Sequence, residues 1–159
     1  MDSSSVIKKS RTDLAIELGR TMTEFRNQLR QSVQLKIKEH GINITFEMLE
    51  VLYCLWQKDG INQQEIADLT LKDKSSMTYM IDNMVKRDMV KRIEDELDRR
   101  NKLIFLTEAG TALRTQLYPW IAEVYHQATE DFDKKNLKDG IDMFQQMILS
   151  LRKPNSSSD

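Results

Sequence analysis

The sequence predicts a mainly α protein with a small β-hairpin, and three observations support that class. Apolar residues recur every three or four positions along most of the chain, the spacing of helices that bury one face. Only five Gly and two Pro occur among 159 residues, too little turn chemistry for an all-β sandwich or barrel. From Val90 to Leu106 the helical period gives way to two short extended segments around a polar tip.

The elements follow in order. A first helix is expected from residue 12 or 13 to about residue 38, with Leu14, Leu18, Met22, Phe25, Leu29 and Val33 on one stripe. A helix of that length needs a surface for its stripe. Gly41 ends it. Thr45 caps a second helix that carries Leu49, Leu52, Tyr53 and Trp56 and stops at Asp59-Gly60. Asn62 caps a short third helix, with Glu65 at the third position of a box-like start. After Thr70-Leu71-Lys72, Asp73 caps a fourth, whose inner face is Met77, Met80, Ile81, Met84 and Val85. Strands at Val90–Glu94 and Lys102–Leu106 flank the charged tip. Helix resumes at Thr107-Glu108 and runs to about Phe132, with a kink or break expected at Pro119. Asn136 caps the last helix, where Leu137, Ile141, Phe144, Ile148 and Leu151 repeat in a packing seam.

Composition narrows the function. With 40% hydrophobic and 31% charged residues the chain is globular, and a net charge of −1 excludes a general polycation. The lone Cys54 excludes a disulfide framework and a multi-thiolate zinc site. Within its apolar helix an inert thiol is the favoured reading over a redox sensor. Neither His40 nor His126 lies one helical turn from a Cys or another His, so no metal site is assigned, and no cofactor. The chain lacks a glycine-rich phosphate loop, a Gly-x-Ser-x-Gly elbow and a paired-histidine motif, so no enzyme is expected. No apolar run approaches the roughly 18 residues of a membrane span, and the Ser-rich N-terminus is unlike a secretory signal. A cytoplasmic protein is expected, with disordered tails at 1–10 and 154–159 around a single domain at 11–153.

Between residues 62 and 107 a short helix, a tight connection, a longer helix and a charged hairpin follow one another. That order describes a winged helix-turn-helix, whose second helix enters the DNA major groove. With the methionines and Ile81 inward, Lys72, Ser75, Ser76, Tyr79 and Asn83 lie on the opposite side, able to reach phosphates or base edges. From Lys72 to Lys102 nine Lys or Arg face seven Asp or Glu, whereas the preceding Gly41 to Leu71 holds one Lys against five acids. Positive charge therefore sits where phosphates would lie.

Ile44-Thr45-Phe46, Gln64-Glu65-Ile66-Ala67-Asp68, the stretch from Ser76 to Arg92, and above all Asp98-Arg99-Arg100 followed by Leu106-Thr107-Glu108-Ala109-Gly110 resemble the MarR family of transcriptional regulators. The resemblance implies a homodimer. Its dimerisation helices would be 11–40 and 107–153, interlocked through Leu14, Leu18, Met22, Leu137, Ile141, Phe144, Ile148 and Leu151, and its DNA-binding lobe 45–106. It also implies a ligand-responsive repressor on a pseudo-palindromic operator in double-stranded DNA. The DNA contacts would come from Gln63, Lys72, Lys74, Ser75, Ser76, Thr78, Tyr79, Asn83, Asp98, Arg99 and Arg100. Arg100 would enter the minor groove with its guanidinium held by Asp98. A small-molecule effector would sit near Phe25, Trp56 and Tyr118. The chain departs from the family at Tyr79, where Arg is common, at Asp88, where Gly is common, and at Leu97, where a basic residue or Pro is common. On the residues alone, Arg99 and Arg100 remain alternatively salt-bridge partners of Glu94, Asp95 and Asp98, and Tyr79 alternatively a packing residue.

Overall fold

The computed structural model describes residues 9–98 and 100–152, in the order α1 (Arg11–Glu39), α2 (Phe46–Gln57), β1 (Ile61–Asn62), α3 (Gln63–Leu69), α4 (Lys74–Lys86), β2 (Val90–Glu94), β3 (Lys102–Leu106), α5 (Glu108–Ala128) and α6 (Lys134–Arg152). It forms two compact units, one through Val124 and one from Tyr125 onward. Apart from Lys9 and Ser10, the tails expected at both ends lie outside the described residues.

Local chemistry explains most boundaries. Ser10 opens α1 with a reciprocal box: its hydroxyl accepts from the Asp13 amide, and its own amide donates to the Asp13 carboxylate. The helix thus starts at Arg11, slightly before the expected position. Thr45 accepts from the Met48 amide at 3.2 Å and Asn62 from the Gln64 amide at 2.7 Å. Glu65 does not complete a box at α3; its carboxylate lies 4.0 Å from Lys58. Before α6 the cap is Asp133, which exchanges bonds with Asn136 in both directions. Asn136 is therefore the third helical residue rather than the cap.

Three helices close in the same way. At the ends of α1, α3 and α4 the next residue turns left-handed, and its amide and the following one fold back on the last turn (Gly41 and Ile42, Leu71 and Lys72, Asp88 and Met89). Gly41 adopts this backbone freely, whereas Leu71 and Asp88 do so with φ of 53° and 54° against the steric preference of L-residues.

The wing exceeds the expected hairpin. β1 pairs antiparallel with β3 (Ile61 opposite Ile104), and β3 with β2 (Arg92 opposite Ile104), giving the order β1-β3-β2. Two residues are too short for any periodicity to show, and Asn62 doubles as the α3 cap. Pro119 breaks nothing: α5 is helical on both sides of it and ends at Ala128 rather than near Phe132. One lost amide donor leaves the neighbouring bonds of so long a helix intact.

The core belongs to the first unit. Val51, Leu52, Ile66, Met77, Ile81, Met84, Ile104 and Leu117 are fully buried between α2, α3, α4, the sheet and α5. On α1 only Val33 and Ile37 are buried; Leu14, Met22 and Phe25 stay exposed. Tyr53 and Val85, expected on packing faces, are exposed too. Trp56 donates its indole N–H to the Gly110 carbonyl at 3.1 Å. At Gly110 a Cβ would fall 2.0 Å from the Met89 carbonyl oxygen, so the start of α5 meets the start of the wing backbone to backbone. His40 stacks on Trp120 with ring centroids 3.7 Å apart, beside a Lys36–Glu123 ion pair of 2.9 Å. In the second unit α6 buries no residue, and Leu137, Ile141, Ile148 and Leu151 are exposed along it.

Candidate nucleic-acid interface

The interface is built on α4, whose inward face is fixed by Met77, Ile81 and Met84. At its start the Asp73 carboxylate accepts from the Ser76 amide at 2.9 Å and the Ser76 hydroxyl at 2.6 Å. Those two bonds hold the Asp73 carboxyl below its ordinary range. Ser76 is thereby partly committed to the cap. Lys74, Ser75 and Tyr79 project outward, and Tyr79, 74% exposed, does not fold down as packing. Asn83 and Lys72 are half-buried at the edge of the same face.

Thr78 is held from within. Its hydroxyl donates to the Lys74 carbonyl and accepts from the Gln63 side-chain amide at 3.0 Å, which joins α3 to α4. The Gln63 carbonyl oxygen is buried without a partner among the described residues. These two residues align the helices, and a base contact from either would require this bond to open.

The wing tip is shaped by two aspartates. Asp95 accepts from the Leu97 amide at 2.9 Å and Asp98 from the Arg100 amide at 3.0 Å. The carboxylate of Asp98 thus holds the backbone of Arg100; among the described residues it makes no ion pair with the guanidinium. Arg100 is exposed, and no ion pair joins it to Glu94, Asp95 or Asp98, because Glu94 pairs with Lys102 across the ladder. Arg99 lies outside the described residues. Arg92 of β2 donates to Asp82 of α4 at 2.7 Å and ties the wing to the helix.

Two clefts flank α4. One, of about 220 Å³, is lined by Asn62, Gln63, Gln64, Lys74, Arg100 and Lys102, and brings three cations together. The other, of about 490 Å³, lies between the start of α2 and α4, lined by Glu47, Met48, Lys72, Ser76, Tyr79 and Asn83 among others. Sequence reading missed Asn62, Gln64, Lys102, Glu47 and the Arg92–Asp82 tie. Lys102 was legible as the base of the strand following Arg100; the rest depend on tertiary approach. Neither cleft includes Phe25, Trp56 or Tyr118. Trp56 is tied into the lobe, while Phe25 and Tyr118 are exposed. Cys54 is half-buried, and burial pushes its thiol above the ordinary value.

A three-helix lobe whose second and third helices precede a short antiparallel wing defines a winged helix protein. Residues 44–102 match the MarR family model. The chain is similar to the HTH-type transcriptional regulator MhqR of Bacillus subtilis, 28% identical over 109 residues that cover 68% of this chain and 73% of that one. Across such curated relatives the matched stretch runs from 38% to 73% of their length. Among solved structures, a MarR transcriptional regulator from Methanosarcina mazei superposes with a TM-score of 0.75 at 25% identity, covering 84% of this chain and 97% of that one. A mutant MarR from E. coli, complexed with operator DNA, shares the fold with a TM-score of 0.73 at 18% identity, covering 87% and 99%. Residues 44–102 thus form a MarR-type winged helix lobe, and beyond it the chain is similar to MarR transcriptional regulators in fold.

Proposed function

We propose that the protein is a sequence-specific DNA-binding repressor that acts in the cytoplasm as a homodimer on a pseudo-palindromic operator. The observation that carries this reading is the cleft where Lys74, Arg100 and Lys102 converge beside the exposed start of α4. A helix for one groove and a basic wing for its neighbour stand on one side of the lobe, and side chains with hydroxyl, phenol and amide groups border them. The operator complex of the E. coli relative supports the same use of the fold.

Dimerisation rests on the apolar stripe of α1 (Leu14, Leu18, Met22) and on the seam of α6 (Leu137, Ile141, Phe144, Ile148, Leu151). Exposed runs of this kind are buried against a partner in stable proteins. We assign 11–40 and 107–153 to that role and 45–106 to the DNA-binding lobe. A small-molecule effector acts by binding one spacing of the two lobes more tightly than the other; without that difference it shifts nothing. No helix among the described residues is long and apolar enough to cross a membrane.

In vitro selection from random duplex DNA tests the reading. An inverted repeat with half-sites roughly one helical turn apart is the expected product. Failure to enrich any duplex, even in dilute salt, overturns it. On the recovered site, Arg100→Ala is expected to cost about 1–3 kcal/mol of affinity with the dimer intact, and unchanged binding would remove Arg100 from the interface.

A further inference from the structure

Resting on the DNA-binding reading above, we propose that Arg30 is a positioning residue for DNA recognition: by pairing with Glu47 it leaves the ammonium of Lys72 available to a phosphate. Two Arg–Glu pairs join α1 to α2, Arg26 to Glu50 at 2.7 Å and Arg30 to Glu47. They differ in what lies behind them. Glu47 stands in the first turn of α2 and is the one acid lining the groove formed with Lys72, Ser76, Tyr79 and Asn83, the outward side of α4. Glu50 is not part of that lining.

Two cations act on this carboxylate. Burial pushes its carboxyl up, but a hydrogen bond from its own backbone amide, the charge of Arg30, a bond to Thr45 and, most weakly, the charge of Lys72 together hold it below the ordinary value. Arg30 is the one in contact, and it also leans over the Phe46 ring, 5.8 Å from the centroid. Lys72 makes no ion pair among the described residues and sits immediately before the Asp73 cap, at the leading end of the recognition helix. One carboxylate shared by two cations leaves one unit of positive charge over, and the geometry places it on Lys72. Without Arg30, the Glu47 side chain, only 20% exposed, has Lys72 as its remaining counter-ion, and the groove keeps no surplus positive charge for a phosphate. Arg30 thus governs the charge of a DNA-facing groove from a helix that does not contact DNA.

The test measures affinity for the selected duplex over a salt series. Arg30→Ala is expected to weaken binding about 5–10-fold at physiological salt and to lower the salt slope by about one phosphate contact. Glu47→Gln alone is expected not to weaken binding or lower the slope, and the double variant Arg30→Ala/Glu47→Gln regains wild-type values of both. Arg30→Lys retains the slope, and Arg26→Ala, which removes the other α1–α2 pair, leaves it unchanged. An Arg30→Ala protein with unaltered slope, or a loss that Glu47→Gln does not restore, overturns the proposal and reduces Arg30 to a strut between helices. If the wild type binds no duplex, the DNA reading itself falls. If Arg100→Ala weakens binding while Arg30→Ala keeps the slope, this inference alone falls.

Discussion

Leu71 is held left-handed and left in solvent, 85% exposed, at the bend between α3 and α4. A side chain that buries so little gains nothing to offset the unfavourable backbone. Leu71→Gly is therefore expected to raise stability by about 0.5–1 kcal/mol, read by urea unfolding; unchanged or lower stability would show that the bend carries no strain. Asp88 illustrates what one residue reveals in sequence. Its departure from the common Gly was visible, but the reason, a left-handed turn closing α4, was not, because φ is a property of the folded chain. The bond that Asp98 makes was illegible for a related reason. Spacing shows that an acid stands two residues before Arg100, but not whether it bonds the guanidinium or the amide.

At the scale of elements, capping is the link between sequence and the interface. Asp73 satisfies a free amide where α4 begins, beside the candidate interface. Asp73→Ala is expected to lower the thermal midpoint by a few degrees, the size of one lost helix cap. The sign with pH follows from the depressed carboxyl. The contribution is complete above the ordinary aspartate range and disappears as pH falls through the lowered value, so wild type and variant should converge in acid. A difference that persists there would mean the cap does not act through the carboxylate. Elements with several periodic residues, α1, α2, α4 and the two long strands, were legible from the chain alone. β1 and the continuity of α5 through Pro119 were not, since one depends on a distant strand and the other on helix to either side outweighing a single missing donor.

On the molecule as a whole, large apolar side chains stand exposed along the leading part of α1 and throughout α6, the kind of contiguous patch that marks an interaction surface. For the proposed homodimer, Ile148→Glu is expected to dissociate the protein or prevent its folding, which sedimentation and circular dichroism distinguish; a folded, undiminished dimer would take α6 out of the proposed interface. The stripes of α1 and α6 were legible as apolar runs lacking anything to cover them, and the basic cleft as a surplus of Lys and Arg late in the lobe. The pairing of Glu47 with Arg30 was not, because seventeen residues and a turn separate them in the chain.

The contact between Gly110 and Met89 has a mechanical consequence. No methyl group cushions the joint where the first turn of α5 bears on the chain entering β2, so it lacks compliance. A tilt of those first residues of α5 meets the chain entering β2 with no side chain at Gly110 to take it up by a rotamer change, which makes that joint a stiff fulcrum.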